Sequence, residues 1–216
     1  MPKSLYRDIF TLKQAYQVTY NHPLDQAILS DLSMQTKQMF NMALAGMRAH
    51  PSVPTSHPQT TQDVQTIYNA MRGAGTDELA VLGVLLNRND AQIIAICEEY
   101  RRAHGKSLSS ALQGDFSGHM RDGLLFIVNG AVDCGSAGPA AYGITRDAQM
   151  LEDAMRGAGT KDTALIRRCV RGHWNPQRWA AVKAHYQSHC HKSGLVHRVK
   201  GETSGDYERA LVAVIG

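Results

Sequence analysis

"NAMRGAGTDE", Asn69 to Glu78, returns 84 positions downstream as "DAMRGAGTKD", Asp153 to Asp162. Seven residues, Ala-Met-Arg-Gly-Ala-Gly-Thr, are unchanged between the copies. Each copy ends one helical stretch ("VQTIYNAMR", "AQMLEDAMR") and begins another ("LAVLGVLL", Leu79–Leu86; "ALIRRCV", Ala164–Val170). Gly73 and Gly157 are natural helix stops, since glycine alone takes positive φ at little cost. Thr76 and Thr160 are placed to N-cap the helices that follow. Asp77, Glu78 and Asp162 fall in the first turn, where negative charge complements the helix dipole.

Working outward, the similarity persists. A longer helical pattern runs to Tyr100 ("AQIIAICEEY") and to Tyr186 ("QRWAAVKAHY"). "LSSALQGDFSG" and "LVHRVKGETSG" follow, and "MRDGLLFIV" and "YERALVAVIG" close the units, with Ser117 and Ser204 as expected N-caps. Each full unit reads as five helices. The chain opens part-way through the same pattern. Tyr16 and Asp31 are 15 apart, as are Tyr100 and Asp115, while Tyr186 and Glu202 are 16 apart. Ser33, Ser117 and Ser204 each stand two residues after the acid. The expected organisation is the back half of a repeat with three helices (1–47), a Pro-rich linker (48–61), a full repeat (62–130), a Gly/Ala-rich linker (131–145) and a second full repeat (146–216). The linker with three prolines is expected to be extended or irregular. No strand-like alternation appears, so the fold class is all-α.

Composition agrees. A chain of 216 residues can bury roughly 70% of its unfolded surface and needs no disulfide or metal to fold. Aromatics are only 6%, which leans away from a β-sandwich. The net charge is +4 and the pI near 8.9. That permits an acidic partner without demanding one, and no run of five Lys/Arg marks a nucleic-acid arm. No nucleic-acid partner is expected. Cys97, Cys134, Cys169 and Cys190 form no Cys-x-x-Cys pair. No signal-peptide pattern opens the chain and no stretch reaches 18 apolar residues, so a cytoplasmic protein with free thiols and no transmembrane segment is expected.

A Gly-x-Gly-Thr turn between helices can bring backbone carbonyls together, and converging carbonyls suit a hard cation. Ca2+ takes six to eight oxygens and accepts carbonyls and carboxylates together. Carbonyls alone leave its charge uncompensated, so a carboxylate must come from elsewhere. Asp115 lies 39 residues after Thr76, and Glu202 lies 42 after Thr160, behind three inserted residues. The half repeat keeps Asp31 without its loop.

Met-Arg-Gly-x-Gly-Thr, then 38 residues, then an acid, resembles the annexin repeat and its calcium signature. The likeness extends over nearly the whole chain, which resembles the C-terminal half of an annexin. It implies repeats that are each a right-handed superhelix of five helices. It implies Ca2+ held by the carbonyls of Met71, Gly73 and Gly75 with Asp115, and by those of Met155, Gly157 and Gly159 with Glu202. Weaker positions would pair Thr76 with Glu78 and Thr160 with Asp162. Phospholipid contact would fall to Arg72 and Arg156, and to Ala74 and Ala158 at the loop tips, where small side chains imply shallow anchoring. The function implied is calcium-dependent peripheral binding to anionic phospholipid membranes, engaged when calcium rises. Lys161 and the insertion before Glu202 disfavour the second site.

Other readings compete. A single Gly-x-Gly-Thr loop is only a turn with a cap; two copies with registered acids favour a cation site or its relic. A calcium-independent helical scaffold for protein partners is the alternative function. Zinc at His189, Cys190 and His191 is disfavoured, because consecutive helical residues cannot all face one ion. Trp174 and Trp179 are expected in core or staple roles. No nucleophile motif or dinucleotide loop is present, and no enzyme is expected.

Overall fold

The computed structural model describes residues 5–32, 34–73, 75–132, 143–157 and 159–216. Among them all regular structure is helical, in two compact units, Met1–Ala131 and Val132–Gly216. The first unit opens with α1 (Leu5–Tyr20), α2 (Leu24–Ser30) and α3 (Met34–Leu44). It continues with α4 (His57–Ala70), α5 (Glu78–Leu85), α6 (Asp90–His104), α7 (Leu108–Asp115) and α8 (Gly118–Val132). The second repeats that five-helix order as α9 (Ile144–Met155), α10 (Asp162–His173), α11 (Pro176–His189), α12 (Gly194–Glu202) and α13 (Gly205–Ile215). Helices α6 and α11 run past Tyr100 and Tyr186, to His104 and His189. Gly105, at φ 71, ends α6.

Apolar residues at helical spacing build each core. In the first, Ile67, Leu82, Leu85, Ile96, Tyr100, Leu112 and Leu124 are buried together, and Met39 of α3 joins them. Helix α5 packs on both α4 and α3, so the half repeat shares the core of the full repeat after it. In the second unit Leu151, Met155, Leu165, Cys169, Tyr186 and Val199 play these parts.

Three expectations are revised. Helix α4 begins at His57, inside the stretch read as linker, with Pro58 in its first turn, where a missing N–H is harmless. The rest of that stretch is tied down. Ala49 N–H donates to Asn87 O at 2.8 Å, and the Asn89 amide donates to His50 O and Val53 O at 2.9 Å each. Second, Asp77 and not Thr76 caps α5, accepting from Ala80 N–H at 3.1 Å. Lys161 stands at the matching place before α10, where no side chain caps. Third, the tryptophans part company. Trp179 is buried and its indole donates to Ile215 O at 3.1 Å, whereas Trp174 is 79% exposed.

Candidate cation site

Both loops have one conformation. Helix α4 stops at Ala70, and Gly73 and Gly75 take φ +109 and +102. Gly157 and Gly159 take +104 and +91. Asp77 N–H reaches back to Ala70 O, and Lys161 N–H to Ala154 O, at 2.8 Å in each case. That bond closes a ring of backbone around the tip. A Cβ at any of the four glycines would meet nothing within 4 Å. Glycine is needed there for its positive φ and not for lack of room. Arg72 and Arg156 are exposed beside the tips; Ala74 and Ala158 lie outside the described residues.

At the first loop the oxygens are uncommitted. Among the described residues none donates to the carbonyls of Met71, Gly73 or Gly75, and none pairs with the exposed carboxylate of Asp115 at the end of α7. Asp115 lies close to the buried phenol of Tyr100, whose pKa is raised by burial first and then by Asp115 and Tyr68. Glu78 accepts from the Gln35 amide of α3 at 2.5 Å.

At the second loop they are committed. Glu202 ends α12 as Asp115 ends α7, and the insertion does not keep it from the loop: Thr160 Oγ1 donates to Glu202 O at 3.4 Å. Arg198, one turn before Glu202, lies between. Its Nη2 donates to Met155 O at 2.8 Å, its Nη1 donates to the Glu202 carboxylate, and its Nε lies 3.6 Å from Glu152 Oε2. The Tyr186 phenol donates to that same Glu152 carboxylate, and burial followed by this bond pushes its pKa up. Asp162 faces Tyr207, whose phenol is pushed up to about 12 by burial and then by that carboxylate.

Arg198 and Glu152 were missed by sequence reasoning, yet a signal existed. The repeat offsets place Ala111 opposite Arg198, four residues before each acid, and Tyr68 opposite Glu152, 84 residues earlier. A cation and an anion enter the second repeat together.

The first loop offers oxygens only, several carbonyls and one carboxylate, and this set suits Ca2+. The second does not fit. Its first carbonyl and its carboxylate already serve a guanidinium. A divalent ion about 4 Å from that group would be repelled by about 8 kcal/mol at an effective dielectric constant of about 20. Among the described residues no group of three or more His, Cys, Asp or Glu is arranged to hold a metal. His189 stacks on His185 at 4.1 Å while His191 stacks on His197 at 6.1 Å, so the residues of the zinc reading turn to different partners.

Five-helix units, each with a glycine loop after its first helix and an acid ending its fourth, define a class of helical-repeat protein. The family model described as Annexin matches residues 62–127 and 146–214, and the chain belongs to the annexin family. It is 44% identical over 210 residues to annexin C1 of Cryptococcus neoformans var. grubii, covering 97% of this chain and 43% of that one. It is 32% identical over 206 residues to annexin A11 of Mus musculus, covering 95% of this chain and 38% of that one. The chain thus spans less than half the length of these two curated relatives. Among solved structures, annexin III aligns with a TM-score of 0.79 at 28% identity, covering 98% of this chain and 62% of that one. A mutant of annexin A8 with an intact N-terminus aligns with a TM-score of 0.84 at 26% identity, again covering 98% of this chain and 62% of that one.

Proposed function

We propose that this chain binds anionic phospholipid surfaces peripherally and in a calcium-dependent manner, through its first loop and without catalysis. The observation that carries this reading is the uncommitted oxygen set of Met71, Gly73, Gly75 and Asp115 on a loop built for exposed carbonyls. Membership of the annexin family supports it. The three carbonyls and the Asp115 carboxylate hold the ion, Thr76 with Glu78 forms a weaker position, and Arg72 contacts lipid phosphate. Bound Ca2+ supplies positive charge shared between protein oxygens and lipid oxygens. A site with a single carboxylate binds feebly alone and better when lipid completes the shell, and the gain is reciprocal. No helix among the described residues is long and apolar enough to cross a membrane. The described cysteines Cys97, Cys169 and Cys190 are free thiols, which supports a cytoplasmic site of action.

The test is sedimentation with vesicles of phosphatidylserine and phosphatidylcholine. The chain is expected to pellet in millimolar calcium and to be released by chelator, and Asp115→Ala to stay in the supernatant. Unchanged sedimentation of Asp115→Ala sinks the proposal and favours the calcium-independent scaffold, a reading that the engaged second loop already supports for its own repeat.

A further inference from the structure

We infer that Arg198 is a built-in cation of the second repeat, a guanidinium standing between the loop carbonyl of Met155 and the carboxylate of Glu202, which keeps that loop from taking up calcium. The inference rests on the calcium-loop reading of Met-Arg-Gly-Ala-Gly-Thr.

A simple helical ion pair would need only Glu202, four residues on. Arg198 does more, because its second η nitrogen reaches Met155 O across 43 residues of sequence. That carbonyl matches Met71 in the first loop, and Glu202 matches Asp115. One side chain therefore holds the two kinds of oxygen that a metal would need to draw together. Glu152 and Tyr186 complete the arrangement. Its charges are one positive and two negative, so the carboxylates are balanced within one charge without metal. Arg198 is only 21% exposed, which keeps the pairs from full solvent screening. A guanidinium suits the place, because its planar fork of donors can serve a carbonyl and a carboxylate at once. In the first repeat Ala111 and Tyr68 occupy the matching positions and bring no charge. The loops share one backbone and one heptapeptide, and differ in whether the cation is a side chain.

The experiment measures Ca2+ uptake by calorimetry, and melting with and without chelator, on the full chain and its variants. Asp115→Ala is expected to abolish uptake, because the second loop is already filled. Arg198→Gln in that background is expected to gain one ion per chain, to lose it again on Glu202→Gln, and to melt lower in chelator than in calcium. Arg198→Lys, which keeps the charge, is expected to gain none. Uptake by Asp115→Ala that Glu202→Gln removes overturns the inference with Arg198 intact, whatever the fate of other variants. A folded Asp115→Ala/Arg198→Gln chain that takes up no ion overturns it too. If the unaltered chain takes up none while the Arg198→Gln chain takes up one, the proposed function fails and the role of Arg198 stands.

Discussion

Asp63 carries its charge inside the first unit. Its side chain is 5% exposed, and Arg88 holds both oxygens, at 2.6 and 2.9 Å, with the Gln59 amide at 3.0 Å. Burying a carboxylate is tolerable only with such company. Arg88→Met should therefore destabilise the chain by about 3–5 kcal/mol, the usual result of leaving one buried charge alone. The measurement is the shift in denaturant midpoint, and a shift under a tenth of that size would show that the pair contributes little. The second unit keeps an acid at the matching place, Asp147, held by Arg178 at 2.6 Å. There Gly172 replaces Arg88, and the Trp179 ring lies so close that a Cβ on Gly172 would stand 2.2 Å from it. Such pairs were not legible in the sequence, because each arginine lies 25 or 31 residues from its acid and no local pattern joins them. The loop glycines and Asp115 were legible, because they repeat at fixed spacing.

Between residue and fold, the helix starts differ most from one repeat to the other. Helix α5 has Asp77 as its cap, and α10 has Lys161, with no side-chain bond. A cation at a helix N-terminus also opposes the dipole. Lys161→Asp should supply the missing acceptor and stabilise the second unit by about 1 kcal/mol, seen as a higher melting temperature in chelator. No change, or a fall, would mean that the Thr160–Glu202 contact already serves that end. Helix number and order could be read from periodicity. The shift of the cap from Thr76 to Asp77 could not. It depends on Asp77 N–H closing the ring to Ala70 O, a bond that favours no residue type. The same holds for the early start of α4, where Pro58 looks like a breaker yet sits where a helix tolerates it.

Across the whole chain, several neutral groups are held neutral by the cores. Burial pushes the Cys97 and Cys169 thiols up to about 12. Tyr207 is pushed up to about 12, and Tyr100 and Tyr186 are raised as well. All are acids whose folded pKa lies above the unfolded one. Their contribution to stability is complete below the unfolded values, about 8.5 for Cys and about 10 for Tyr. Above those values the unfolded chain releases protons that the folded chain keeps, and stability falls. The denaturant midpoint should be level from about pH 7 to 8.5 and should decline from there towards pH 12. Replacing Cys97 and Cys169 with Ala should remove the part that begins near pH 8.5. A midpoint level to about pH 11 would contradict this.

The stretch from Arg48 to Pro54 has the composition of a tether, with proline, serine and small residues in plenty. Its backbone is nonetheless spoken for. Ala49 pairs with Asn87, His50 and Val53 share the amide of Asn89, and the Gln92 amide donates to Pro54 O at 3.3 Å. Arg48 adds an ion pair to Asp90 at 2.5 Å. A protease must draw a run of backbone out of its own hydrogen bonds before it can cleave. Here the segment that composition would nominate as the cut site is clasped by the corner between α5 and α6, so that the half repeat and the repeat after it resist digestion as one piece.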